Sequence, residues 1–133
     1  QSIRREMSCV DLVSATFSRD VLAVRSLLKE GGTDINQRDA ALRTVLMIAA
    51  YQGDQEIAWT FVEAGADKDA QDQDGATALH IAAREGHADV AHLLVSNGAD
   101  ISVKDNRGLD ALRVARERGH TEVVEILDPE VAR

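Results

Sequence analysis

The stretch DQDGATALHIAAREGHADVAHLLVSNGADISVK, Asp72 to Lys104, reads as two short amphipathic helices punctuated by glycine. Thr77 is suited to cap the first through its hydroxyl, and Leu79, Ile81, Ala82 and Ala83 give it an apolar side made of small residues. Gly86 interrupts it. His87 opens a second helix in which Val90, Leu93 and Leu94 recur at helical spacing, and Gly98 supplies a left-handed position at its end. Two such helices carry too little apolar surface to close a core by themselves.

The neighbours they need stand at a shift of 33 residues. Asp39, Asp72 and Asp105 fall in one column; so do Leu46, Leu79 and Leu112; Ala49, Ala82 and Ala115; Gly53, Gly86 and Gly119; Ile57, Val90 and Val123. Gly32, Gly65 and Gly98 follow the same period, each with an aspartate two places on at Asp34, Asp67 and Asp100. A fixed period of this length predicts a stacked array in which each unit buries its faces on the next.

The run Thr77-Ala78-Leu79-His80-Ile81-Ala82-Ala83, followed by Gly86-His87, Leu93-Leu94 and Gly98-Ala99-Asp100, resembles the ankyrin repeat, with Ala78 where the family usually has proline. The resemblance spans roughly residues 8 to 128. It implies an all-α solenoid of four stacked helix-turn-helix units with projecting β-turn fingers and a concave face that binds other proteins. The expected division is a tail over 1–7, a divergent N-terminal capping repeat over 8–38, repeats over 39–71 and 72–104, and a C-terminal capping repeat with its tail over 105–133.

Composition agrees with one folded domain. Of 133 residues, 44% are apolar and 29% charged, which separates the chain from disordered sequences. Its net charge of -8 argues against nucleic acid, since phosphate contacts need a basic footprint. No long apolar run suggests membrane insertion. Cys9 stands alone, so no internal disulfide can form, and a reducing, cytoplasmic compartment is the default expectation. The chain opens at Gln1 and not Met, which leaves an organelle open.

Several local features carry expectations. Ser8 and Asp11 offer a cap for the first helix, which should reach Phe17. The second helix starts at Asp20, buries Val24, Leu27 and Leu28 and stops at Gly31-Gly32; one extra residue is expected between Ala15 and Val24, where Ser18-Arg19-Asp20 replaces the glycine turn. Leu42 stands where Gly75 and Gly108 recur, so its turn is expected to avoid positive φ and to be looser. Met47 replaces the family's histidine, and the following helix should bury Ile57, Phe61 and Val62. In the last unit Asp110 is the cap, and Arg113 and Arg116 replace His80 and Ala83, as suits a face with no following unit, because unpaired buried guanidinium groups are costly. Asp128-Pro129 should stop the final helix.

No catalytic constellation stands out. His80, His87 and His92 lack zinc-ligand spacing, and neither a nucleophile elbow nor a phosphate loop is present, so no metal, no cofactor and no enzymatic activity are expected. The resemblance instead assigns His80 to hydrogen bonding between adjacent first helices, and His87 and His120 to the start of second helices. It also places on the concave face Arg38, Ala40, Ala41, Arg43, Tyr51 and Gln52, then Gln71, Gln73, Asp74, Ala76, Arg84 and Glu85, then Lys104, Asn106, Arg107, Leu109, Glu117 and Arg118. Six of these eighteen are basic and three acidic, a local excess that would steer an acidic segment of another protein. Filler charges on solvated helix ends are the plainer reading.

Trp59 offers a rival surface on the convex side, in a column with Ser26, His92 and Glu125. The expected function is a non-catalytic adaptor or scaffold acting through the concave face. The alternative is a subunit permanently docked through Trp59 in a larger, for instance organellar, assembly. A regulatory fragment of a longer enzyme comes third.

Overall fold

A computed structural model describes residues 12–31 and 34–128. The tail at 1–7, the cap at Ser8 and Asp11, Cys9, Gly32 and Pro129 lie outside these residues. The described part is eight helices and no strand: α1 (12–17), α2 (Val21–Glu30), α3 (Val45–Gln52), α4 (Gln55–Glu63), α5 (Ala78–Glu85), α6 (Ala88–Ser96), α7 (Ala111–Arg118) and α8 (Thr121–Leu127). They form antiparallel pairs stacked in two rows. In the inner row α3 packs on α5 and α5 on α7, while α2, α4, α6 and α8 follow one another in the outer row.

The columns read from the sequence are the core of this stack. Ala49, Ala82 and Ala115 are fully buried where inner and outer helices meet, and their small side chains let the backbones approach. Ile57, Val90 and Val123 fill the outer layer, joined by Phe61, Leu94 and Leu127. Complete burial of a side chain of this size contributes about 1.5–3 kcal/mol. Val62 and Leu28 are only half-buried, because they sit on the shoulders of their helices.

Helix ends follow residue chemistry. The carboxylates of Asp20, Asp54 and Asp110 and the hydroxyls of Thr44 and Thr77 each accept the backbone N–H three residues on, satisfying a donor the helix leaves open. Gly53, Gly86 and Gly119 end the inner helices in the left-handed region at φ 75, 77 and 73°.

The first pair corrects the expected register. Asp20 caps α2 through Ala23 N–H as Asp54 caps α4 through Ile57 N–H, so the two pairs correspond at a shift of 34. That shift persists to the helix end, where Gly31 (φ 77°) matches Gly65 (φ 90°). The extra residue therefore lies between Gly31 and Asp34 and not between Ala15 and Val24. Arg19, at φ 60°, takes the left-handed place of Gly53. Arg25, not Ser26, then stands in the column of Trp59.

Three fingers project between the pairs, and each is headed by an aspartate. Asp39 Oδ1 accepts from the N–H groups of Ala41 and Arg43, Asp72 Oδ1 from those of Asp74 and Ala76, and Asp105 Oδ1 from those of Arg107 and Leu109. Backbone bonds link successive fingers: Gln73 N–H donates to the Ala41 carbonyl and Asn106 N–H to the Asp74 carbonyl, both at 2.9 Å. The expectation for Leu42 fails here. Leu42 adopts φ 64°, and its N–H donates to the Asp39 carbonyl as those of Gly75 and Gly108 do to Asp72 and Asp105. Asp39 holds the turn closed, and the backbone strain of a left-handed leucine is accepted in exchange.

Candidate functional site

Histidines tie one pair to the next. In α5, His80 is 3% exposed; Thr77 N–H donates to its Nδ1, so Nε2 carries the proton and donates to the Leu109 carbonyl at 2.8 Å. The bond thus runs from α5 to the third finger, just ahead of α7, and not from helix to helix. His87 Nε2 donates to the Tyr51 carbonyl and His120 Nε2 to the Arg84 carbonyl, both at 3.0 Å.

On the face made by fingers and inner helices lies a groove of about 410 Å³, lined by Phe17, Ala41, Arg43, Met47, Ile48, Tyr51, Asp72, Gln73, Asp74, Ile81 and Arg84. Its floor is apolar: Met47, Ile48 and Ile81 are buried there, with Phe17 and Tyr51 each 56% exposed beside them. A smaller hollow of about 90 Å³ shares Phe17, Arg43 and Ile48 and adds Val13, Gln37, Arg38, Asp39 and Val45.

Of the residues expected on this face, Ala41, Arg43, Tyr51, Gln73, Asp74 and Arg84 meet at the groove, and Arg38 borders the hollow. Gln52 turns toward the first pair, where its Nε2 donates to the Phe17 carbonyl at 3.0 Å. Glu85 pairs with Arg84. Lys104, Arg107, Leu109 and Arg118 lie beyond the groove in the last pair and its finger, and Trp59, Ser26 and His92 are exposed on the outer helices.

Sequence reasoning passed over Phe17, Met47, Ile48, Ile81 and Asp72. The signal was present in the columns. Phe17, Tyr51, Arg84 and Glu117 occupy one inner-helix position, and Val13, Met47, His80 and Arg113 another; both run from apolar to charged along the array. The apolar half is where the groove forms.

The expected positive excess on this face is corrected by the finger aspartates, which were not counted with it. Arg43 Nε meets Asp39 Oδ2 at 2.9 Å, Arg84 Nε meets Glu85 Oε2 at 3.1 Å, and Arg107 lies between Asp105 at 3.8 Å and Glu117 at 3.7 Å. With Asp39, Asp72 and Asp105 included, the acidic residues match the basic ones in number. What remains is orientation: the Nε edges of Arg43 and Arg84 are held by carboxylates, which presents their guanidinium groups at the groove rim.

Burial would raise the Asp39 carboxyl, but the N–H and guanidinium of Arg43 and the N–H of Ala41 outweigh it and hold Asp39 below the usual range. Asp105 is lowered in the same way: burial opposes ionisation, and the N–H groups of Leu109 and Arg107 overcome it. Both fingers are therefore clamped by ionised side chains at neutral pH.

At the opposite end Arg113 and Arg116 are exposed, with Arg116 Nη2 2.6 Å from Asp128 Oδ2. Among the described residues no group of histidine, cysteine and carboxylate side chains could hold a metal, and no helix is long and apolar enough to cross a membrane.

No curated protein matches the chain. A family model described as ankyrin repeats (3 copies) matches residues 12–105 and again 46–131. With the finger, paired helices and left-handed glycine repeating through the described residues, the chain belongs to the ankyrin-repeat family, whose arrays are generally protein–protein interaction modules.

Proposed function

We propose that the protein is a non-catalytic adaptor that takes up a segment of another protein along the finger and inner-helix face, the concave side in this family. The carrying observation is the pair of half-exposed rings, Phe17 and Tyr51, over the floor of Met47, Ile48 and Ile81. A ring so placed gives up little entropy on binding and adds a large apolar contact, which is why such residues dominate interface energetics. Arg43 and Arg84 flank that floor and suit carboxylates on either side of an apolar anchor. The partner is thus a segment with an apolar residue between acidic ones. Since the face is balanced in charge, the apolar contact supplies most of the affinity and the arginines supply orientation.

A second reading rests on the outer helices. Trp59 is 39% exposed on α4, and α2, which packs against α4, exposes Leu22 at 76%; exposed apolar side chains on this face suit a permanently docked subunit.

One experiment separates them. Random-sequence peptides are selected on the immobilised protein, and their affinities are measured against variants. Tyr51→Ala, or Arg43→Glu combined with Arg84→Glu, should weaken binding by about tenfold or more. Binding that survives both changes but disappears in Trp59→Ala would transfer the function to the outer face.

A further inference from the structure

Asn97 is followed by Gly98, the one asparagine-glycine step in the chain; Asn36 and Asn106 precede Gln37 and Arg107. Glycine matters in that place because it adds no side chain to hinder its own nitrogen and lets the backbone swing freely. An asparagine side chain so flanked is open to attack by the main chain itself.

The step ends α6, with Asn97 half-buried and Gly98 exposed at φ 90°. Three features hold it away from reaction. Asn97 Nδ2, the group that must leave, donates to the Leu93 carbonyl at 2.8 Å. The Gly98 N–H, whose nitrogen must attack, donates to the Val95 carbonyl at 3.1 Å. Asn97 also sits at ψ 16°, which turns the Gly98 nitrogen away from Cβ, whereas ring closure needs it alongside. The turn itself does not depend on the amide: α4 ends on Ala64 and Gly65 with the same backbone bonds, to Thr60, Val62 and Phe61.

We infer that Asn97 is a modification site gated by the fold, losing its amide to the Gly98 nitrogen when the end of α6 opens and then keeping that end from closing. Hydroxide takes the Gly98 proton, the nitrogen bonds to Asn97 Cγ, and Nδ2 leaves as ammonia after regaining a proton from water. One water then opens the cyclic imide at either carbonyl, leaving aspartate or isoaspartate. Aspartate is acceptor-only, so it faces the Leu93 carbonyl without a proton to share and adds negative charge at the C-terminus of α6. Isoaspartate lengthens the main chain by one carbon, just ahead of the bonds from Ala99 N–H to the Leu94 carbonyl and from Asp100 N–H to Asp69 Oδ1.

The test incubates the whole chain in mildly alkaline buffer, folded and unfolded in guanidinium chloride, and follows the peptide containing Asn97 by mass spectrometry. Conversion is expected to be at least about tenfold slower in the folded protein. Asn97→Asp should lower Tm by roughly 3–8 °C, while Asn97→Ala, which copies the end of α4, should melt well above Asn97→Asp. Equal rates in the two conditions would overturn the gating, and an amide retained in both would remove the site. A wild-type Tm in Asn97→Asp would overturn the claim that the product resists closing.

Discussion

The imidazole of His87 lies against Gly53 so closely that a Cβ built on that glycine would be 2.5 Å from Nδ1. Gly86 and His120 repeat the relationship one unit later, at 2.7 Å. Glycine is required there twice over, by the left-handed backbone and by the ring from the next pair. The first pair shows the converse: Arg19 takes the glycine's place, and Asp54 takes the histidine's and caps its own helix.

Gly53→Ala should therefore destabilise the protein by roughly 2–4 kcal/mol, the combined cost of a left-handed alanine and an overpacked contact. In a double-mutant cycle read by urea unfolding, His87→Ala should recover part of that loss, although it gives up the bond to the Tyr51 carbonyl. Strict additivity would show that the ring contact does not matter.

The same logic can be run in reverse at the first interface. Asp54→His alone should be destabilising by about 1–2 kcal/mol, through loss of the helix cap and crowding of the Arg19 side chain. Combined with Arg19→Gly, the histidine should be accommodated, and the melting temperature of the pair should exceed that of Asp54→His alone.

His80 joins α5 to the third finger through Thr77 and the Leu109 carbonyl. His80→Met copies the residue found at the corresponding place in α3, Met47, and preserves bulk while leaving Leu109 without its donor. A loss of about 1–3 kcal/mol is expected, the cost of an unpaired buried polar group. Hydrogen exchange should accelerate in the third finger, at Arg107 and Leu109, before it does in α3.

Acid should loosen the fingers. The folded-state pKa values of Asp39 and Asp105 lie below the unfolded value, so the native state holds fewer protons and their contribution is fully present above the unfolded carboxylate range. It is lost as pH falls through the folded values, below about pH 4. Urea midpoints measured between about pH 5 and pH 3 should decline, and Asp39→Asn combined with Asp105→Asn should flatten that decline while lowering stability at neutral pH.

Much of the fold was legible in the residues. Alanine, leucine and glycine columns report local needs, which are close helix approach, an apolar stripe and a left-handed end, and each is met or missed by a residue's own shape. Thr77 and Asp110 announced their caps for the same reason. The first pair was misjudged because Val24 is apolar and sits 33 residues from Ile57; the cap at Asp20 and Arg19 in the left-handed place of Gly53 reveal the shift of 34. The binding face was legible in part. Arg43, Tyr51 and Arg84 follow from their repeat positions, but Phe17 was read as a helix end and Asp39, Asp72 and Asp105 as a column without a role.

By itself, then, the order of residues determined a stacked helical array and the glycines that end its inner helices, since both follow from properties each unit carries alone. Tertiary structure decided the rest, because it depends on distances between units. The His87 ring over Gly53, the Asp39 clamp that holds Leu42 at positive φ, the cancellation of the arginine charge and the apolar groove between Phe17 and Tyr51 exist only once neighbouring units are brought within a few ångströms of one another.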